Sequence, residues 1–162
     1  MGGRKTSLAP DFRDLLRAFV AHDVRFLVVG AYALAVLGRP RATGDLDVWI
    51  DATPGNAART IAALRDYGAP LHDLTAADLA QAGVVFQIGL PPLRIDILTA
   101  ITGVEFTGAW SRRLAVDFDG IRVPVIGRAD FLTNKRATGR LKDRADAERL
   151  DPSHPRAGRR QR

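Results

Sequence analysis

The chain has no cysteine among its 162 residues. That excludes a disulfide framework and any zinc–thiolate site. It has three histidines, His22, His72 and His154, far apart and in unrelated contexts, so a histidine-built metal site is not expected and surface or capping roles are. No apolar run approaches the roughly 20 residues that cross a bilayer. The opening stretch MGGRKTSLAP carries basic residues but no apolar core after them, so no signal peptide is expected. A cytoplasmic protein with no membrane partner is the expectation. Internal repeats and low-complexity segments are missing, as are the G-x-G-x-x-G and Walker A phosphate loops.

What is present suits one soluble domain. Hydrophobic residues make up 46% and charged residues 26%, and the length allows a real core. No linker divides the chain, so residues 1–9 read as a flexible lead-in, 10–151 as a single domain and 152–162 as a disordered basic tail. The formal net charge is +6, and PRAGRRQR at the end carries four arginines and no acid. Such a tail can touch nucleic acid, but it serves equally as a soluble chain end.

Hydrophobic spacing organises the rest. Pro10 opens a helix with Phe12, Leu15, Leu16, Phe19 and Val20 at helical intervals, ending near His22 and Asp23. Residues 25–29 (RFLVV) read as a buried strand, Gly30 as its end, and 31–37 as a helix stopped by Gly38 and Pro40. An acidic strand over 45–50 follows. Thr53-Pro54 caps a helix over 54–67, and Thr75 caps a short one over 76–81. Residues 84–90 and 93–98 form an antiparallel pair around Pro91-Pro92, and 105–113 a short helix. Strands 114–118 and 121–126 are joined by the hairpin signal Asp119-Gly120. Helices over 128–138 and 141–150 finish the chain. Early alternation and later hairpins predict an α/β (α+β) fold, a mixed sheet covered by helices.

The acidic strand carries the chemistry. In DLDVWI, Leu46, Val48 and Ile50 alternate with Asp45, Asp47 and Trp49, so the two aspartates share a face. Adjacent carboxylates repel and raise each other's pKa. A cation between them relieves this, and an all-oxygen donor set suits a hard ion such as Mg²⁺ (or Mn²⁺) bridging to phosphates. The plain alternative is a solvent-facing strand with two ordinary aspartates. In LRIDILT, Asp96 sits mid-strand among apolar residues, with Arg94 and Leu98 on its face. If this strand lies beside the acidic one, Asp96 completes a three-carboxylate, two-metal site and can act as general base toward a hydroxyl. Gly30, between strand and helix, lets backbone approach an anion, though a single glycine there is more often a plain turn.

Gly30-Ala31 after a strand, then Arg41, Thr43, Asp45-x-Asp47 and the later Asp96, together resemble the DNA polymerase β-like nucleotidyltransferase superfamily. Within it the chain looks most like small bacterial members related to abortive-infection toxins, and NKRATGRLKDRADAERL (134–150) resembles their lysine-bearing helical segment. The resemblance covers roughly residues 25–150. It implies the nucleotidyltransferase fold and transfer of a nucleoside monophosphate from a nucleoside triphosphate to a hydroxyl of RNA such as tRNA, of a protein or of a small molecule. Asp45, Asp47 and Asp96 would be catalytic and metal-binding, and Gly30, Ala31, Arg41, Thr43 and Lys135 nucleotide-binding. Ala31 stands where the superfamily commonly has glycine or serine. A toxin–antitoxin or phage-defence role with a cognate antitoxin protein is implied more loosely. A non-catalytic nucleotide- or RNA-binding module with the same fold is the competing reading. For Lys135, Arg140, Lys142, Asp143 and Asp146 the competing reading is a solvated helix surface with local ion pairs.

Overall fold

The chain's longest helix-forming stretch and its acidic strand meet through one buried side chain. In the computed structural model, which describes residues 8–39 and 44–152, Thr53 caps α3 (Pro54–Tyr67) and Asn56 lies in its first turn. Asn56 is fully buried. Its carbonyl accepts from the Arg25 N–H at 2.7 Å, and its amide donates to the carbonyls of Arg25 (3.0 Å) and Asp51 (2.8 Å). It thereby ties α3 to the start of β1 (Phe26–Val29) and the end of β2 (Asp45–Ile50), satisfying backbone groups beyond the reach of sheet pairing.

The strands form one six-stranded mixed sheet in the order β3-β4-β2-β1-β6-β5. Here β3 is Val85–Ile88, β4 Arg94–Leu98, β5 Leu114–Phe118 and β6 Ile121–Val125. β1 runs antiparallel to β2 and parallel to β6, β2 and β4 are parallel, and β3–β4 and β5–β6 are antiparallel hairpins. The β5–β6 turn places both Asp119 (φ 50°) and Gly120 (φ 86°) in the left-handed region, as a two-residue primed turn requires.

Leu46, Val48 and Ile50 of β2 and Ile95 and Ile97 of β4 point into the core and are almost fully buried. Helix α1 (Pro10–Ala21) packs on α3 and β6 and brings in Phe12, Leu15, Leu16 and Phe19. Phe19 meets Phe26 edge-on at 5.4 Å. On the opposite face Trp49 packs edge-on against Phe106 of α5 (Phe106–Ser111), rings 5.0 Å apart. This covers one end of the acidic face and leaves the end bearing Asp45 and Asp47 open.

The remaining elements are α2 (Gly30–Val36), α4 (Ala76–Leu79), α6 (Arg128–Ala137) and α7 (Leu141–Leu150), the last two packed together. Boundaries differ from the sequence expectation mainly at turns. β3 stops at Ile88 because Gly89 turns away with φ 81°. α4 closes after one turn, its Thr75–Asp78 capping box intact, because the Ala80 N–H already bonds back to Ala76 and Ala77. The expected lead-in and basic tail lie largely outside the described residues, as does Pro40.

Candidate active site

β2 and β4 are adjacent and parallel, with Asp47 opposite Asp96 and Asp45 opposite Arg94. All four side chains are on the face away from the Leu46–Val48–Ile50 core. They open into a cleft of about 340 Å³. Gly30 and Ala31 form one lip, and Asn134, Lys135, Thr138, Arg140, Lys142 and Asp143, from α6, α7 and the turn between them, form the opposite wall. The structure therefore brings Gly30, Ala31, Asp45, Asp47, Asp96 and Lys135 to one cavity. Arg41 and Thr43 lie outside the described residues.

Gly30 has φ 68°, and a Cβ built on it would overlap Asp47 Oδ2. The missing side chain is thus what lets the Asp47 carboxylate lie against the β1–α2 turn. Ala31, the first residue past it, is buried, and no side chain caps the start of α2.

The carboxylates are unequal. Burial pushes the Asp47 carboxyl up to about 6, and the negative charges of Asp96 and Asp45 add to the rise. Asp96 is 9% exposed. Among the described residues Arg94 brings positive charge to this wall. Its Nε is 3.0 Å from Asp96 Oδ1, and its Nη2 lies 3.3 Å from Asp96 Oδ2 and 3.4 Å from Asp45 Oδ2. The 3.0 Å contact is a charge contact without hydrogen-bond direction, since Arg94 Nε and Asp96 Oδ1 are both buried with no hydrogen-bond partner.

Among the described residues no three histidine, cysteine or acidic groups are disposed to hold a metal ion as the side chains stand. Arg94 lies between Asp45 and Asp96, in the space such an ion would neutralise. The donor chemistry itself fits a hard divalent cation. All donors are oxygens, the Asp47 carboxylate is under-compensated, and Asp96 Oδ1 is buried with no hydrogen bond.

The helical wall is not a solvated surface at its centre. Lys135 is 12% exposed at its side chain and reaches Asp143 Oδ1 at 3.1 Å and Asp146 Oδ2 at 3.9 Å, with those carboxylates still more buried. Thr138 donates to Asp143 Oδ2 at 2.7 Å. Burial alone would raise Asp143, but the Thr138 hydroxyl and the Lys135 charge outweigh it and hold the carboxyl below its ordinary value. Arg140 and Lys142 are exposed, as a solvated face requires. Sequence reasoning placed Arg94 on the Asp96 face but did not anticipate that it bridges to Asp45. It also did not find the burial of Asp143 and Asp146, whose i, i+3 spacing in α7 was the available signal.

No protein-family model matches the chain, and no curated protein matches its sequence. Solved structures do. The chain has the fold of the nucleotidyltransferases. It superposes on the lincosamide antibiotic adenylyltransferase LnuA in its lincomycin-bound form with a TM-score of 0.56 at 16% identity, over 90% of this chain and 98% of that one. ANT(2'')-Ia in complex with adenylyl-2''-tobramycin gives 0.58 at 13%, over 88% and 86%. TM1012 from Thermotoga maritima, a protein proposed to be a nucleotidyltransferase, gives 0.55 at 15%, over 88% and 89%.

Proposed function

We propose that the chain transfers a nucleoside monophosphate from a nucleoside triphosphate to an acceptor hydroxyl and releases pyrophosphate. The observation that carries this is the placement of Asp45 and Asp47 beside Asp96 on adjacent parallel strands, with Asp47 opposite Asp96, facing a lysine-bearing helical wall across one cleft. Asp45, Asp47 and Asp96 would hold the divalent cation, Mg²⁺ or Mn²⁺. When bound, that ion supplies charge neutralisation along the triphosphate.

The chain's own groups do the rest. The backbone at Gly30 and Ala31 faces the phosphates without side-chain obstruction. Asp96 takes the proton of the acceptor hydroxyl as its oxygen bonds to the α-phosphorus and the bond from that phosphorus to the pyrophosphate oxygen breaks. Lys135, oriented by Asp143 and Asp146, faces the outer phosphates. Arg94 must turn from Asp96 for this to happen, and the triphosphate offers it a new anionic partner.

LnuA and ANT(2'')-Ia are named as antibiotic adenylyltransferases or seen with an adenylylated antibiotic. Small polyhydroxylated molecules therefore join RNA such as tRNA and protein side chains as acceptor classes to test. The test is incubation with each α-labelled nucleoside triphosphate, Mg²⁺ or Mn²⁺, and each acceptor class. Label transfer abolished by Asp45→Asn supports the proposal. Absence of transfer and of triphosphate binding under all conditions overturns it. The toxin-like subgroup of the resemblance adds the proposal of a cognate antitoxin, checked by whether growth arrest on expression depends on Asp47.

One observation favours a second reading. Arg94 already pairs with Asp45 and Asp96, so the cleft can stand as a nucleotide-binding module without catalysis. Triphosphate binding that is indifferent to divalent ions, with no transfer, would select that reading.

A further inference from the structure

A second, larger cavity of about 490 Å³ lies at the other end of β1, where the strand begins. Its lining includes three guanidinium groups, Arg25, Arg113 and Arg122, around the indole of Trp110, with a single carboxylate, Asp23. They come from different elements: the residue before β1, the segment after α5, and β6. None of the three arginines makes an ion pair with a carboxylate among the described residues. Their charges are not consumed by the fold, unlike those of Arg94 and Lys135 in the acidic cleft.

The aromatic part is built as a ladder. Phe106 and Trp110 stack with planes 20° apart and centroids 5.8 Å apart. Arg113 lies over the indole at 3.9 Å, and its Nη1 donates to the Trp110 carbonyl at 2.8 Å. Arg25 is 5.5 Å from the same ring. Arg113 is thus held by ring and carbonyl together, and such fixed guanidinium planes are platforms on which bases stack. A lone inorganic anion would use the charges but not the ladder. The cavity volume falls in the range that takes one nucleotide-sized group.

We infer that this cavity binds a nucleotide unit of a single-stranded nucleic acid, with its base on the Arg113 plane and its phosphodiesters on Arg25 and Arg122. This binding needs no divalent ion and stands apart from the transfer chemistry proposed above, so either can fail without the other. The two sites lie at opposite ends of one four-residue strand, Phe26–Val29. A strand bound in the arginine cleft therefore lies about 13–16 Å from the Gly30 lip, at about 3.3 Å per residue.

The test is binding of the full chain to a labelled mixed-sequence single-stranded oligonucleotide, in EDTA, across a salt series. Trp110 fluorescence reports stacking. Binding is expected with a log–log salt slope near −1.4, about 0.7 for each of the two phosphates on Arg25 and Arg122. Arg122→Ala and Arg25→Ala should each bring it to about −0.7 without moving the melting temperature. Arg113→Ala should raise Kd by about tenfold or more and remove the fluorescence quench. If all three variants bind as the wild type does, the basic chain ends carry the binding and the proposal falls. It falls equally if a mononucleotide binds as tightly as the oligonucleotide, or if duplex is preferred over single strand.

Discussion

The two walls of the acidic cleft are made from the same ingredients and come out opposite. On the helical side two buried carboxylates, Asp143 and Asp146, share one buried lysine, and Asp143 is held below its ordinary pKa. On the sheet side Asp45 and Asp96 meet one partly exposed arginine, Arg94, and Asp47 is driven up to about 6. The helical wall is electrostatically finished. On the sheet wall burial and like charge hold Asp47 high, and a group bringing positive charge there would lower it. On the function proposed above, the difference would separate charge used to hold a structure from charge held for a ligand.

Breaking the finished wall should have the largest effect. Lys135→Ala removes the cation that Asp143 meets at 3.1 Å inside the fold and should destabilise the protein by about 3–5 kcal/mol in denaturant melts. It should also weaken triphosphate binding. If stability hardly changes, the clamp is not structural and the contrast between the walls is lost.

Relieving the unfinished wall should do the reverse. Asp47→Asn removes an under-compensated buried charge and should stabilise the metal-free protein near neutral pH by on the order of 2 kcal/mol, while abolishing any Mg²⁺-dependent rise in melting temperature. Destabilisation instead would make Asp47 a structural acceptor.

The pH profile sharpens the same point. The folded pKa of Asp47, about 6, lies above its unfolded value of 3.8. The folded state then binds the proton more tightly, so metal-free stability should rise as pH falls from about 7 toward 4. Asp143 is shifted downward, so its contribution is present above its unfolded value and is lost as pH falls below it. Thermal melts in EDTA should therefore peak on the acid side of neutrality, and Mg²⁺ should flatten the neutral limb. A profile flat from about pH 5 to about pH 7 in EDTA would contradict the assignment.

The smallest effect belongs to Arg94, which is partly solvated. Arg94→Ala should cost at most about 1 kcal/mol of stability and tighten Mg²⁺ binding severalfold in calorimetry, because its guanidinium competes for Asp45 and Asp96. Weaker Mg²⁺ binding would show that Arg94 orders the carboxylates rather than blocking them.

Most of this architecture was legible in the residues. Period-two alternation at 45–50 and 94–98 set the faces of β2 and β4, and Asp119-Gly120 announced its hairpin. The parallel pairing of β2 with β4 was only a condition in the sequence, because nothing in either strand names its neighbour across a gap of more than forty residues. Asn56 was invisible for a related reason. An asparagine in the first turn of a helix looks like any polar residue until Arg25 and Asp51 are brought to it. Arg94 was seen on the right face, but a reach across to the adjacent strand depends on register, which composition does not encode. The Trp110 ladder joins residues close in sequence, yet it has meaning only because Arg25 and Arg122 arrive from distant strands.

The contact between Gly30 and Asp47 bears on how this chain can drift over generations. Position 30 carries no Cβ so that position 47 can carry a carboxylate, and that carboxylate strains the resting molecule. Under selection for stability alone, replacement of Asp47 is downhill and easily reached. Gly30 would then linger as a relic, since its φ of 68° still disfavours any other residue. A lineage that had stopped using this cleft would lose the acid first and the glycine last. A chain that uses this cleft as proposed has to keep both against the grain of folding.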